Sequence, residues 1–577
     1  MAKQRSWICR NWFWLVWAAV ALGLLWRVRF CTAGEEESYF LTQAYSYLQG
    51  MIPMAEIWGG TLFSSMIFMP LAALFQAVSG GWAGIYLFLR VCYVLFECLV
   101  SAAAFLLLGR FASRNWAGFG ALLVLVFTPL NLNTFSYNSL GMHFTLLFVL
   151  LALFGARQGH WWANVLAGCC FALALEAYPP MVVLLPICFL LLAQYPAGRR
   201  LLSFGQFCLG GAAAFAVFLV ELLVRAPLSV YLESVGNLLI ADSAHQSSGG
   251  IVAEIISWLA SCRWWYGTAI ILACGVLWLL CGAARFATCH GKKLPRAVWT
   301  VLAILTVAVA VWGLVMLPRG EKFYSNMKWF IPGLLWPAVL CLCWPKDKLP
   351  GITLCVAGML YASGVFYGSD LGVVNGSYGF LFCVLGEVLW LSQALEMVQI
   401  QHAGKTLCRV LAVVLALLLP VQLGYMRFFY DSFGNPSRCN VRLSDGIMTG
   451  LWVEPEKAEA YEGVLRDVAA NVPAGSKLLV LDILPYAYML DNYVVCAPTP
   501  WINNVGDEQN RIFYEKNPHL VPEYVFVAQE KTGFSNRADT SAESLPDGYI
   551  KQMLLQPGVQ RTETESGTFY KLPESGS

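Results

Sequence analysis

Long apolar runs separated by short polar loops extend to about residue 429 and predict membrane-spanning helices. The stretch 62–78 is also apolar, but Ser64, Ser65 and Pro70 interrupt it and favour a non-spanning, interfacial or re-entrant helix. The sequence therefore predicts an all-α polytopic membrane protein with about thirteen transmembrane helices and additional interfacial helices. The predicted spans are 13–30, 82–108, 116–132, 138–155, 162–178, 180–195, 203–224, 265–284, 297–317, 329–345, 351–367, 378–395 and 406–427.

The positions of Lys and Arg between these runs predict the orientation of the chain. Cytoplasmic loops of membrane proteins carry an excess of Lys and Arg, and with these thirteen spans the basic loops all fall on one side of the membrane. This rule places the N-terminus in the cytoplasm and the acidic loop 31–61 outside, and an odd number of spans places the C-terminus outside as well. The basic residues on the cytoplasmic side are Arg110, Arg114, Arg157, Arg199, Arg200, Arg285, Lys292, Lys293, Arg296, Lys346, Lys348, Lys405 and Arg409.

The C-terminal part of the chain has a different pattern and predicts a second domain. Residues 456–472 and 507–517 have the periodicity of helices, and residues 477–482 and 523–528 read as strands, the first of them buried. We therefore divide the chain into a transmembrane domain, residues 1–429, and a small extracytoplasmic α/β domain, residues 430–577.

Composition supports the membrane assignment and narrows the partners. Hydrophobic residues make up 58% of the chain and charged residues 12%, whereas about a quarter of an ordinary soluble protein is charged. The net charge is only +2, so the overall charge gives no indication of a nucleic-acid partner. The nineteen cysteines lie mostly inside apolar runs and show no metal-ligand spacing. Cys439 and Cys496 lie in the polar tail, and the sequence does not decide whether they form a disulfide.

Three consecutive carboxylates follow the first span directly. Glu35, Glu36 and Glu37 must lie at the membrane–water interface, because the apolar run before them ends at about residue 30. The uncharged stretch 39–48 carries aromatic residues at helical spacing and predicts a short helix lying flat in the interface. The alternative interpretation is that the triplet is a solvated collar at the end of a span.

Charged residues inside the predicted spans need a partner or a function. Arg90 and Glu97 share one span with Tyr93 between them, and two helical turns put all three on one face. A structural ion pair that locks two helices and a role for Arg90 in binding an anionic substrate are both open.

Further candidates lie in the predicted outer loops. Lys322, Lys328 and Arg319 crowd one short loop against the positive-inside trend, where they would bind a phosphate at headgroup depth or ordinary anionic lipid. Asp242 and His245 are three positions apart and would lie on the same face of a helix. This spacing permits a divalent metal site but does not by itself indicate one.

The membrane part resembles the glycosyltransferases of the GT-C class, especially the aminoarabinose and protein mannosyl transferases that use polyprenyl-phosphate sugars. Their acidic motif is typically Asp-Glu-x-x-Tyr, and Glu35-Glu36-Glu37-Ser38-Tyr39 is similar to it, with Glu in place of Asp. The resemblance implies that Glu35 is the catalytic acid–base residue and Glu36 its neighbour, and it leaves Glu37 without a catalytic role. It also implies a bacterial plasma membrane and cell-envelope context.

Two departures from that family limit what can be carried over. The family's Lys-Pro-Pro-Leu segment corresponds to residues 63–66, which contain no lysine, and its second acidic residue falls near residues 140–142. The nearest polar group there is Tyr137-Asn138-Ser139. The donor and acceptor therefore cannot be assigned from the resemblance.

The residues can perform the implied chemistry. A carboxylate would take the acceptor's proton, cations would stabilise the departing lipid phosphate, and a single base with direct attack implies inversion. Aromatic rings of the kind that line sugar sites are available. The predicted substrate-binding residues are Tyr39, Trp58, Arg90, Tyr137, Asn138, Asp242, His245, Lys322 and Lys328.

Two other classes of protein fit the same composition. A transporter or lipid flippase would also have many spans and buried charges, although the charges here cluster on the predicted outer side and inverted halves are not evident. A non-catalytic scaffold that presents its tail is the third interpretation.

Overall fold

A computed structural model describes residues 2–32, 35–59, 61, 63–129, 132–241, 265–316, 333–368, 376–396, 427–428, 435–501, 507–532 and 537–573. The helical part of this structure contains fifteen labelled helices. They are α1 (Ala2–Arg27), α2 (Glu35–Leu48), α3 (Ser64–Ser79), α4 (Ile85–Leu108), α5 (Arg114–Val126), α6 (Tyr137–Gln158), α7 (Trp161–Ala177), α8 (Leu185–Ala193), α9 (Arg200–Arg225), α10 (Leu228–Ala241), α11 (Trp265–Cys289), α12 (Arg296–Met316), α13 (Trp336–Cys343), α14 (Leu349–Tyr367) and α15 (Phe380–Glu396).

Five of the described helices are long and apolar enough to cross a membrane, namely Ile85–Leu108, Tyr137–Gln158, Ala197–Arg225, Ile271–Cys289 and Leu349–Phe366. Six shorter apolar helices of 10–17 residues accompany them. Large apolar side chains on α9, such as Phe215, Val217 and Val224, are 57%, 70% and 82% exposed. Such a surface is stable against lipid rather than water, so the structure supports a membrane protein, with fewer qualifying spans than the thirteen predicted.

Prolines account for two of the differences between predicted and observed helices. The run 116–132 predicts one span, but α5 ends at Val126 and Phe127 is extended, two residues before Pro129. The run 180–195 begins as a 3-10 turn, Pro179–Leu184, before α8 starts at Leu185. The predicted span 406–427 lies almost entirely outside the described residues.

The C-terminal part folds as an α/β domain, as its pattern predicts. Its helices are α16 (Pro455–Asn471), α17 (Asp507–Lys516) and α18 (Tyr549–Leu554). Its strands are β1 (Val441–Arg442), β2 (Trp452–Val453), β3 (Lys477–Leu481), β4 (Val494–Val495), β5 (Tyr524–Ala528), β6 (Gln560–Glu563) and β7 (Gly567–Lys571).

One five-stranded sheet organises this domain, in the order β4-β3-β5-β7-β6. Strand β3 is parallel to both β4 and β5, whereas β7 is antiparallel to β5 and β6. The central strands β3 and β5 are buried along almost their whole length, as expected for parallel strands covered on both faces. A separate hairpin, β1–β2, lies between this sheet domain and the helical part.

The tail domain docks on the helical part through backbone hydrogen bonds. The amide of Gly84 donates to the carbonyl of Gly446 at 3.1 Å, and the amide of Tyr86 donates to that of Ile447 at 3.2 Å. On the other side of the hairpin, residue 452 exchanges two bonds with residues 29 and 31. The tail therefore meets the start of α4 and the end of α1 directly.

Helix α2 confirms the predicted helix but not its predicted position. Every residue from Glu37 to Tyr47 is buried, so the helix does not lie flat with one face in the interface. The reason is that the tail covers it: Thr42 Oγ1 donates to the carbonyl of Pro485 at 3.0 Å, and the Tyr45 hydroxyl donates to that of Tyr493 at 2.8 Å.

Candidate functional site

The acidic triplet forms the first turn of α2, whose backbone begins at Glu35. The side chains of Glu35 and Glu36 lie outside the described part of the structure, so their predicted catalytic roles stay predictions. Glu37 is described and is 4% exposed. Because a buried carboxylate is unstable without a partner, the surroundings of Glu37 define how the motif is held.

Arg90 of α4 provides that partner. Its Nε and Nη2 atoms donate to the two carboxylate oxygens of Glu37 at 3.0 and 2.5 Å. Its Nη1 atom donates to the carbonyls of Val28 and Cys31, each at 2.9 Å. A bidentate, charge-assisted pair of this kind fixes both orientation and distance. Arg90 thus ties the end of α1 and the start of α2 to α4.

This geometry decides between the two roles that the sequence leaves open for Arg90. An ion pair does lock two helices, but its acidic member is Glu37 and not Glu97, which shares the span with Arg90. Since these four hydrogen bonds engage the guanidinium and only 3% of Arg90 is exposed, the residue is a positioning group in this structure rather than an open phosphate contact.

A small cavity of about 10 Å³ adjoins the ion pair. It has room for about one water molecule and not for a sugar. The residues around the cavity are Glu37, Leu41, Phe68, Tyr86, Leu89, Arg90 and Thr134.

Tyr39 lies two residues after Glu37 in α2, and neighbouring side chains contact both its hydroxyl and its ring. Gln43 Nε2 donates to the Tyr39 hydroxyl at 2.8 Å, and Ser65 Oγ donates to Gln43 Oε1 at 2.8 Å. The Tyr39 hydroxyl also lies 3.1 Å from Thr61 Oγ1. The ring of Trp501, from the tail domain, meets the Tyr39 ring edge-on at 5.4 Å between centroids. A tail residue thus contributes to the surroundings of the motif.

Trp58 is placed differently from the open sugar-binding surface that the sequence predicts. The side chain has no exposed surface, and its Nε1 donates to the carbonyl of Ala55 at 3.0 Å. Its ring packs edge-on against Phe513 of the tail, with Lys516 Nζ 5.7 Å from the ring centre. Trp58 is therefore a docking residue between the two domains here.

Tyr137 and Asn138 begin α6 next to α2. The Tyr137 ring contacts those of Phe40 and Tyr178, at 5.6 and 4.9 Å between centroids. The Oδ1 atom of Asn138 is buried without a hydrogen-bond partner among the described residues. A buried polar atom in this state can accept a ligand hydrogen bond without first losing another partner. Asn138 stays a predicted binding residue.

A second buried ion pair lies further along α4. Arg427 Nη2 donates to Glu97 Oε2 at 2.7 Å, and both side chains are at most 1% exposed. The Tyr93 hydroxyl lies 2.5 Å from Thr128 Oγ1, one helical turn from Glu97. Glu97 is thus paired with a residue 330 positions away and belongs to a cluster separate from the acidic motif.

Four predicted binding residues, Asp242, His245, Lys322 and Lys328, lie outside the described residues. Within the part that is described, no group of three or more His, Cys, Asp and Glu side chains could hold a metal ion. Among the other predicted binding residues, Tyr39 belongs to α2, and Arg90 and Tyr137 contact α2 through Glu37 and Phe40. Trp58 lies in the interface with the tail.

Two residues of this site were missed by the sequence analysis. Glu37 is the buried anchor of the triplet, although its position among three identical residues gives no sign of that. Trp501 follows Pro498-Thr499-Pro500, and an aromatic residue after a proline-rich turn was the available signal.

Neither comparison with known proteins adds a relative: no family model and no curated protein matches this chain.

Proposed function

We propose that this chain transfers a sugar, with inversion, from a polyprenyl-phosphate-linked donor to an acceptor outside the membrane, whether glycan, lipid or protein. The observation that carries the proposal is the acidic triplet at the start of α2, anchored through Glu37 to Arg90 on an apolar helix long enough to cross a membrane. A donor whose lipid tail stays in the bilayer needs a reactive carboxylate at this depth.

In this mechanism Glu35 accepts the proton of the acceptor hydroxyl, and Glu36 supports it. The acceptor oxygen attacks the anomeric carbon while the bond to the lipid phosphate breaks. The sugar is therefore transferred in a single displacement, and the configuration at the anomeric carbon inverts. Lys322 and Lys328 pair with the departing phosphate. Arg90 holds Glu37, and Tyr39, Tyr137 and Asn138 stay predicted sugar-binding residues.

The proposal requires the motif and the tail on the outer side of the membrane. We expect a cysteine at position 508, in Glu508→Cys, to react with an impermeant thiol reagent in intact cells, because the Glu508 side chain is 64% exposed on the tail. Lys293→Cys, in a predicted cytoplasmic loop, is the control and should react only after lysis. Peptide-level mass spectrometry separates both from the native cysteines; the opposite labelling pattern would reverse the orientation.

The lysines of the loop 318–328 are expected to act on donor binding. Lys322→Met or Lys328→Met should weaken donor use about ten- to a hundred-fold, which corresponds to about 1.5–3 kcal/mol for a charge-assisted hydrogen bond. Lys293→Met makes the same chemical change on the predicted opposite side and should leave donor use unchanged. The measurement is KM and kcat for the donor in detergent. If all three variants behaved alike, Lys322 and Lys328 would be assigned to contacts with the lipid surface instead of the donor phosphate.

A direct experiment separates the transferase from the transporter interpretation. Purified protein in detergent is supplied with labelled polyprenyl-phosphate sugars and a panel of acceptors, and free polyprenyl phosphate is followed. Detergent abolishes sidedness, so a transporter shows no turnover there, whereas a transferase does. Movement of lipid or solute across reconstituted vesicles, without donor cleavage on any panel, would favour the transporter, for which the buried Glu97–Arg427 pair would be the natural starting point.

A further inference from the structure

Two cysteines from distant parts of the chain meet where the tail hairpin joins the end of α1. The sulfur atoms of Cys31 and Cys439 lie 3.3 Å apart, although 408 positions separate the residues. Cys31 is 2% exposed and Cys439 7% exposed. No disulfide joins the two residues in this structure. We propose that Cys31 and Cys439 form a disulfide that covalently joins the tail domain to the segment preceding the acidic motif.

The backbone around the two thiols is already held in place on both sides. The Cys31 amide donates to the Trp452 carbonyl at 2.9 Å, and the Trp452 amide donates to the Arg29 carbonyl at 2.7 Å. Cys31 has a φ angle of +62°, which is unusual for a residue with a side chain and persists only where neighbouring contacts determine it. The sulfurs therefore need to approach by only a little over about 1 Å to reach the bonding distance of about 2.05 Å.

The chemical surroundings favour reaction at Cys439. A hydrogen bond from Cys31 lowers the pKa of the Cys439 thiol below its ordinary value; burial opposes this shift, and the nearby Arg27 guanidinium supports it. A thiol with a lowered pKa supplies more of the thiolate that attacks a disulfide. Cys496, the other tail cysteine considered in the sequence, is buried, and its sulfur donates to the carbonyl of Val494 at 3.5 Å.

The reaction is a thiol–disulfide exchange with an external disulfide, either of an oxidoreductase or of a small molecule. Thiolate at Cys439 attacks the partner's disulfide and forms a mixed disulfide, which Cys31 then resolves. The two cysteines lose two protons and two electrons in total, and the partner leaves as two thiols. An oxidising compartment outside the membrane supplies such partners.

The location of the bond gives it a consequence for the acidic motif. The Cys31 carbonyl accepts a hydrogen bond from Arg90 Nη1, and the same guanidinium holds Glu37. A disulfide at position 31 would therefore fix the carbonyl that helps to orient Arg90. The inference rests on the predicted position of the tail outside the membrane, but it does not depend on the proposed sugar transfer.

The test uses the full chain, isolated from cells whose free thiols are blocked with N-ethylmaleimide during denaturing lysis. Trypsin and a Glu-specific protease, without reduction, release residues 30–35 and 439–442. We expect these two peptides joined, two hydrogens lighter than their sum, and separated by dithiothreitol. The bond should persist in Cys496→Ser, and in Cys31→Ser the Cys439 thiol should become alkylated.

A second cysteine pair inside the helical part provides the control. The Cys355 sulfur lies 3.6 Å from the Cys383 carbonyl, and the Cys383 sulfur lies 3.5 Å from the Cys355 carbonyl. Both residues are buried, and Cys355 belongs to a helix long enough to span the membrane. We expect this pair to be alkylated without reduction, because Cys355 lies within a helix long enough to span the membrane, away from the aqueous compartment that supplies exchange partners.

A measurement on the intact fold covers the case in which a single variant is poorly produced. Dithiothreitol should lower the thermal unfolding temperature of the wild-type protein in detergent and should leave that of the Cys31→Ser/Cys439→Ser variant unchanged. Complete alkylation of both cysteines before reduction, in cell-derived protein and again after incubation with oxidised glutathione, would overturn the proposal. A bond from either residue to a different cysteine would overturn it as well.

Discussion

Replacing Glu35 by glutamine is expected to lower turnover by about 10²–10⁴-fold at matched amounts of folded protein. The substitution keeps the volume of the side chain and removes its ability to accept a proton. Position 35 is the first residue of α2, one helical turn before Tyr39, so the backbone of the helix continues into the motif. The measurement is the rate of donor consumption in detergent with saturating acceptor.

The matched control for Glu35→Gln is Glu508→Gln, the same chemical change on the tail helix α17. Glu508 is exposed and pairs with Arg511 three residues away, and such surface pairs contribute about 1 kcal/mol or less. Equal turnover of Glu35→Gln and the wild type would show that Glu35 is not the base. A loss in Glu36→Gln alone would move the base by one residue along the motif.

Replacing Glu37 by glutamine is expected to destabilise the folded protein by about 3–5 kcal/mol, because it leaves the buried Arg90 charge without its counter-ion. The two side chains are only 3–4% exposed, so water does not screen the loss. From the motif alone, Glu37→Gln would be the milder of the two glutamate substitutions. The structure separates the effects: Glu35 should act on turnover and Glu37 on stability.

The stability prediction is tested by thermal unfolding in detergent of Glu37→Gln, and of Glu37→Leu, Arg90→Met and the double variant Glu37→Leu/Arg90→Met, which form a complete cycle. The double variant should be more stable than either single one, because it leaves no unpaired buried charge. Arg157→Met is the control: it breaks the Arg157–Asp347 pair, whose side chains are both 44% exposed, and should change stability by about 1 kcal/mol or less. Additive effects of the two single substitutions would contradict a direct pair.

Local patterns in the sequence were sufficient for most secondary structure. The run 82–108 predicts α4, which spans Ile85–Leu108, and the periodicity of residues 456–472 predicts α16, which spans Pro455–Asn471. Both agree because the apolar spacing along one segment reports which face that segment buries. The orientation in the membrane stays a prediction, since no part of the structure tests it.

The contacts that build the site could not be predicted in the same way. Arg90 shares a helix face with Glu97, yet its partner is Glu37, 53 positions away in another helix. Periodicity places charges on a face but does not say which neighbouring element packs against that face. The same limit applies to Trp58: its aromatic ring suggests a sugar-binding residue, but the structure shows that the tail domain covers it. It applies also to Cys31 and Cys439, which are distant in the sequence and adjacent in the structure.

The stoichiometry of a single reaction tests whether this protein transfers a sugar from a lipid phosphate. A polyprenyl-phosphate sugar labelled separately in lipid and sugar is incubated with the purified protein and acceptor in detergent, and both products are counted. We expect one free polyprenyl phosphate for each sugar transferred, with the anomeric configuration inverted, and loss of both products in Glu35→Gln. Sugar transfer with retained configuration, or transfer that is unchanged in Glu35→Gln, would contradict it.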